Sequence, residues 1–138
     1  MSANDTFTVQ RWPHQPWVTV WDPLGFQDPG CHTFLTFWAW QDVSPRRLRR
    51  WARHLAETWT WLRLMGYEWP TATPEVWMDW ATCQRDHPLD AADLASRVET
   101  LYRFDAFWHW YDPQRVQHQP WPRDQRERTR WLALIEHF

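Results

Sequence analysis

The 138 residues contain no lysine, a single isoleucine, a single asparagine, three glycines and two cysteines. The glycines stand at 25, 30 and 66. Phosphate-cradling loops of the P-loop and dinucleotide types need closely spaced glycines, so both are excluded. Cys31 and Cys83 are too few for a disulfide framework. In a reducing compartment they are thiols or metal ligands. Long apolar runs are also missing. The longest, at about 34–40, is interrupted by Thr36, far short of the ~20 residues of a spanning helix. Residues 1–12 carry Asp5 and Arg11 and no apolar signal core. The expected setting is the cytoplasm, with no membrane partner.

The absence of lysine makes all 15 cations arginine. A GC-rich coding sequence accounts for that bias. The physical consequence stands regardless: every cation is a planar fork that can grip a phosphate or carboxylate in two places and stack on an aromatic ring. What the chain has in surplus is tryptophan, 15 residues of it. With 43% hydrophobic and 23% charged residues, the composition is that of a globular protein, and the length suits one domain.

A net charge of −2 hides strong segregation. Residues 1–43 sum to −3, residues 44–66 to +5, residues 67–112 to −6 and residues 113–138 to +2. One short basic segment in an otherwise acidic body is the place to look for a partner.

Residues 6–40 read as strands. Phe7 and Val9 alternate with polar neighbours, and 17–21 and 33–40 are rich in β-branched and aromatic residues. Asp22-Pro23-Leu24-Gly25 and Asp28-Pro29-Gly30 between them have turn chemistry. At Ser44 the period changes. Ser44 suits an N-cap and Pro45 the first helical position. Leu48, Trp51, Ala52, Leu55, Trp59 and Leu62 then form one apolar stripe until Gly66. This spacing predicts a helix over about 45–65. Thr73 and Pro74 open a second over about 74–86, with Val76, Trp77, Trp80 and Ala81 inward. Asp90 caps a third over 91–111, with Leu89 and Leu94 placed as a hydrophobic staple and Leu94, Val98, Leu101, Phe104, Trp108 and Tyr111 as its stripe. A final, mostly polar helix is expected over about 122–137. The fold class is α+β: a small N-terminal antiparallel sheet of two or three strands followed by three or four helices. It forms one domain over 1–138, strand-rich in 1–43 and helical in 44–138.

The sharpest functional feature is the start of the first helix. Arg46, Arg49, Arg50 and Arg53 fall opposite the apolar stripe, with Arg47 on the flank and Trp61 further along the outward side. A helix N-terminus already carries partial positive charge, so each cation near it is disfavoured by about 0.3–1 kcal/mol. Glu57 is the one i,i+4 partner, for Arg53. An acidic partner relieves this repulsion, either the 67–112 segment of the same chain or another molecule. Trp beside Arg suits base stacking, and equally a second packed layer.

Cys31, His32, Cys83 and His87 have the chemistry of a zinc site, but Cys31 and His32 are adjacent rather than spaced as paired ligands usually are. No motif fixes a reaction. Cys83 with Asp86 and His87 lacks an oxyanion loop, and Ser2, Ser44 and Ser96 lack a nucleophile context. The expectation is a non-enzymatic binding protein without cofactor, a small subunit or accessory factor of a nucleoprotein assembly that contacts a nucleic-acid backbone. The alternative is a protein–protein module, an inhibitor or adaptor, anchored by exposed Trp and Arg on an acidic protein surface. A zinc-dependent protein is a third reading.

Overall fold

The computed structural model describes residues 6–11, 18–85 and 91–114. The elements in order are β1 (Thr8–Arg11), β2 (Val18–Trp21), α1 (Pro29–Trp40), α2 (Pro45–Leu64), a single 3-10 turn (Trp69–Thr71), α3 (Pro74–Arg85) and α4 (Ala91–Tyr111). The fold is α+β, an N-terminal two-stranded antiparallel sheet followed by four helices. The chain divides between Tyr67 and Glu68 into two compact units. Asp90, Leu89, His87 and the 122–137 helix expected from sequence lie outside the described residues.

In the first unit, β1 pairs with β2 in the register Thr8–Trp21, Val9–Val20, Gln10–Thr19 and Arg11–Val18. β1 is largely exposed, whereas Val18, Thr19 and Val20 of β2 are buried. Asp22 then organises the turn into α1. Its carboxylate accepts from the Leu24 and Phe26 amides, both at 2.9 Å, and its carbonyl accepts from Gly25 at 3.1 Å.

The stretch 33–40, expected as a third strand, is helical. It belongs to α1, so the strand-rich part ends well before residue 43. The reason is local. Asp28, read from sequence as part of a turn, is an N-cap whose carboxylate accepts from Cys31 N at 2.9 Å. Pro29 then occupies the first turn, where its missing N–H costs nothing. This is the arrangement that Ser44 and Pro45 make at α2, where Ser44 Oγ accepts from Arg47 N at 3.2 Å. Once the helix starts, Cys31, Phe34 and Leu35 are buried and Trp38 half-buried, the i, i+3, i+4, i+7 pattern of one helical face.

α2 is the centre of the first unit. It packs on both strands and on α1, and α1 also rests on β2. Its stripe Leu48, Trp51, Ala52, Leu55, Trp59 and Leu62 is buried as the spacing predicts, and His54, Ala56 and Thr58 are buried beside it. At about 100° per residue, these positions cover more than half of the helix circumference. The Trp51 ring meets Phe34 at 5.8 Å and Trp38 at 6.0 Å between centroids. Thr60 Oγ1 accepts from Phe7 N at 2.9 Å and donates to Ala56 O at 2.8 Å, joining the start of β1 to α2.

Both α1 and α2 stop in the same way. The amide of Asp42 returns to Ala39 O and that of Val43 to Trp38 O, both at 3.2 Å. In α2, Gly66 N returns to Arg63 O at 3.1 Å and Tyr67 N to Leu62 O at 2.8 Å. These are paired Schellman bonds, and the residue at their centre must be left-handed. Gly66 takes φ 83 freely, while Asp42 takes φ 62 with a side chain. Asp42→Gly is therefore expected to raise stability by about 0.5–1 kcal/mol, read as a higher urea midpoint with an unchanged slope. An unchanged midpoint would show that the Asp side chain compensates its backbone strain.

In the second unit, Val76, Trp77, Trp80 and Ala81 of α3 are buried, as are Leu94, Val98, Leu101, Phe104 and Trp108 of α4. Tyr111, expected in the α4 stripe, is 54% exposed. It stacks on Phe107 at 5.2 Å and 15°. Trp69 packs edge-on against Phe104 at 4.9 Å and meets Trp108 at 5.8 Å. His109 Nε2 lies 3.7 Å from the buried carboxylate of Asp105, one turn earlier.

Candidate nucleic-acid interface

α2 places its cations where its packing leaves room. Arg46, Arg49, Arg50 and Arg53 project from the arc opposite the buried stripe, and all four are exposed. Arg47 is exposed on the flank, its guanidinium carbon 5.1 Å from the centroid of the Trp51 ring. That cation–π contact holds Arg47 beside the α1–α2 seam.

The electrostatic setting is one-sided. α3 carries Glu75 in its first turn and α4 carries Asp93, each complementing its helix dipole. Hydrogen bonds to its own backbone and to the Thr73 hydroxyl hold the Glu75 carboxyl below the usual carboxylate range. α2 has no acid in its first turn and opens with Pro-Arg-Arg. Within the first unit, no described carboxylate forms an ion pair with Arg46, Arg47, Arg49, Arg50 or Arg53. Five fixed positive charges thus accumulate at the positive end of a helix, with Ser44 Oγ and the Ser44 carbonyl serving the first backbone amides.

Trp61 is half-buried, and its indole Nε1 is buried without a hydrogen-bond partner among the described residues. In the first unit, Trp40 at the last position of α1 is 69% exposed. Its sequence signal was present, because position 40 falls opposite Cys31, Phe34 and Leu35 on a helical wheel. It became readable only once 29–40 was known to be helix.

Cys31 and His32 lie in the first turn of α1, and Cys83 lies on α3 in the second unit. Among the described residues, no three His, Cys, Asp or Glu side chains form a metal-holding group. Burial pushes the Cys31 thiol well up, and the Asp28 carboxylate beside it adds to the effect. The thiol therefore stays protonated at neutral pH, a poor nucleophile and a poor ligand.

His32 Nδ1 lies 3.2 Å from Thr19 Oγ1 on β2. Burial lowers its pKa from the ordinary 6.5. The folded state then binds this proton less readily than the unfolded chain, so stability is complete above about pH 6.5 and falls as pH drops through that value. The thermal midpoint of wild type should fall from pH 7.5 to pH 5.5 more than that of His32→Gln. Parallel pH profiles for the two proteins would remove His32 as a contributor.

Among the described residues, no helix is long and apolar enough to cross a membrane. Compared with protein-family models, with curated proteins and with solved structures, the chain has no significant match.

Proposed function

We propose that this chain is a non-enzymatic nucleic-acid-binding protein, a small subunit or accessory factor of a nucleoprotein assembly, which holds a phosphate backbone against the N-terminal half of α2. One observation carries the reading. Arg46, Arg47, Arg49, Arg50 and Arg53 are all exposed at the positive end of one helix and have no described carboxylate partner in their unit. The repulsion among them favours an incoming polyanion, and their fork geometry suits phosphate oxygens. Contacts of this kind give affinity and register but no sequence specificity. The overall charge of −2 opposes a strong free-standing hold on nucleic acid, so further subunits are expected to add affinity.

The test is fluorescence anisotropy of labelled oligonucleotides titrated at several salt concentrations. Binding should weaken by about 0.7–0.9 log units per log unit of salt for each phosphate contacted. Absence of binding by folded protein at low salt would overturn the reading.

A second reading draws on Leu24, Phe26 and Trp40, which are 72%, 67% and 69% exposed in the first unit. A protein partner docked on such side chains would bind with little salt dependence and would be lost on Trp→Ala substitution.

A further inference from the structure

We infer that the outer edge of β1 receives an extended peptide segment of a partner protein as a third strand, with an arginine or lysine of that segment seated against Asp22. The inference goes beyond the nucleic-acid reading and does not rest on it. The direction of the backbone groups follows from the hydrogen bonds of β2. Val20 O accepts from Asp28 N at 2.8 Å and Asp22 N donates to Phe26 O at 2.7 Å, so Val20 and Asp22 turn their backbone groups away from β1. Thr19 and Trp21 turn theirs toward it. In the register Thr8–Trp21 and Gln10–Thr19, the backbone groups of Thr8 and Gln10 fill the ladder, and those of Phe7, Val9 and Arg11 point outward. Phe7 N is taken by Thr60 Oγ1. The outward amides of Val9 and Arg11 and the carbonyl of Val9 have no hydrogen-bond partner among the described residues. Thr8, Gln10 and Arg11 around them are exposed. Such an edge is a template for another strand.

The side chains beside the edge select the occupant. A hollow of about 350 Å³ is lined by Thr6, Thr8 and Gln10 on one side and by Asp22, Pro23 and Gly25 on the other. Asp22 is the charged group of this lining. Its Oδ1 accepts from both turn amides, and its Oδ2 accepts from none of the described residues. The turn that carries it is closed by its own hydrogen bonds around Gly25 at φ 90, so the carboxylate is in place before a ligand arrives. In an added strand, the residue opposite Thr8 shares the face of Thr8 and Gln10. That strand lies about 4.8 Å beyond β1, so only a long side chain crosses Thr8 to reach Asp22. Arginine and lysine have both the length and the charge, whereas glutamate would meet a like charge.

The experiment titrates the full chain against labelled nonapeptides of alternating threonine and valine with a central arginine, alanine or glutamate, read by anisotropy. The arginine peptide should bind about fivefold more tightly than the alanine peptide, and the glutamate peptide least. N-methylation of the arginine peptide at alternate residues, which removes its strand-pairing donors, should weaken binding by at least about tenfold. Asp22→Asn keeps the Oδ1 acceptor for the turn amides and removes the charge, so it should bind the arginine and alanine peptides alike; circular dichroism would confirm that it is folded. In hydrogen exchange, the arginine peptide should slow the amides of Val9 and Arg11 far more than those of Thr8 and Gln10. Equal binding of the methylated and unmethylated peptides, or no binding by wild type up to about 1 mM, overturns the added strand. An Asp22→Asn variant that still prefers arginine overturns the seating on Asp22. Dimerisation of the chain that the arginine peptide fails to reverse assigns the edge to a second copy and overturns the partner peptide.

Discussion

Changing Arg46, Arg49, Arg50 and Arg53 together to Ala should abolish nucleic-acid binding while leaving the protein at least as stable as wild type. The two effects have opposite signs for one reason. All four side chains are exposed, and within their unit no described carboxylate is ion-paired with them. Their removal leaves no buried group unsatisfied. It also takes cations away from the positive end of α2, where each is disfavoured by about 0.3–1 kcal/mol when close to the terminus, and Ala is the strongest helix former. A small rise in the thermal midpoint is expected. Binding behaves differently. If each Arg holds one phosphate, a slope of about 0.7 per contact, extrapolated from 1 M to 50 mM salt, is close to one log unit per Arg. The variant should therefore bind about three to four orders of magnitude more weakly at 50 mM salt, with a slope shallower by about three. Arg47 is left in place because its contact with Trp51 belongs to the packing as well as to the surface. A variant that melts lower than wild type would show that the cluster is structural. A variant that melts higher but binds as before would move the ligand elsewhere on the chain.

That sign test matters because the chain itself already revealed most of this helix. Ser44, Pro45 and Gly66 mark its ends, and the stripe from Leu48 to Leu62 fixes its buried side, so the exposure of the arginines followed from spacing alone. The helices α3 and α4 were equally legible, with Trp77, Trp80, Leu101 and Trp108 buried where period 3.6 puts them. α1 was not. Thr33, Phe34, Thr36, Phe37, Trp38 and Trp40 have the composition of a strand, but β-propensity chiefly records how side chains pack on a pleated surface. Here Asp28 caps, Pro29 opens the helix, and Phe34 and Trp38 pack against Trp51. The N-cap and proline signal that identified α2 was present at 28–29, and a following glycine made it look like a turn. With 33–40 extended, Trp38 and Trp40 share a face; in the helix Trp38 turns inward toward Trp51 and Trp40 turns out to solvent. The seam between α1 and α2, and with it the Trp51 ring that carries Arg47, depends on that difference. Trp21, beside a turn, and Trp69, beside a proline, are both half-buried, and the Trp69 ring packs on Phe104.

The residue that ties α1 to α2 is Trp51, and Trp51→Ala should be the most damaging single change in the first unit. Trp51 is 4% exposed. Its ring meets Phe34 and Trp38 of α1, and it supports the guanidinium of Arg47. Truncation to Ala removes one of the largest buried side chains and leaves a cavity between two helices. Substitutions of this kind cost about 3–5 kcal/mol, against a total of about 5–15 kcal/mol for a domain. Trp40→Ala, on a solvated surface eleven positions earlier, should stay within about 0.5 kcal/mol. Denaturant unfolding followed by circular dichroism separates the two, since 15 tryptophans make intrinsic fluorescence a composite signal. Hydrogen exchange then localises the loss: protection in α1 and the first turns of α2 should fall in Trp51→Ala. Trp51→Phe should recover part of the stability by keeping ring contacts with Phe34 and Trp38. If Trp51→Ala costs less than about 1 kcal/mol, the α1–α2 seam is not a packed core. Arg47, whose guanidinium rests on that ring, would then have no rigid support beneath it, and Arg47→Ala should weaken binding no more in Trp51→Ala than in wild type.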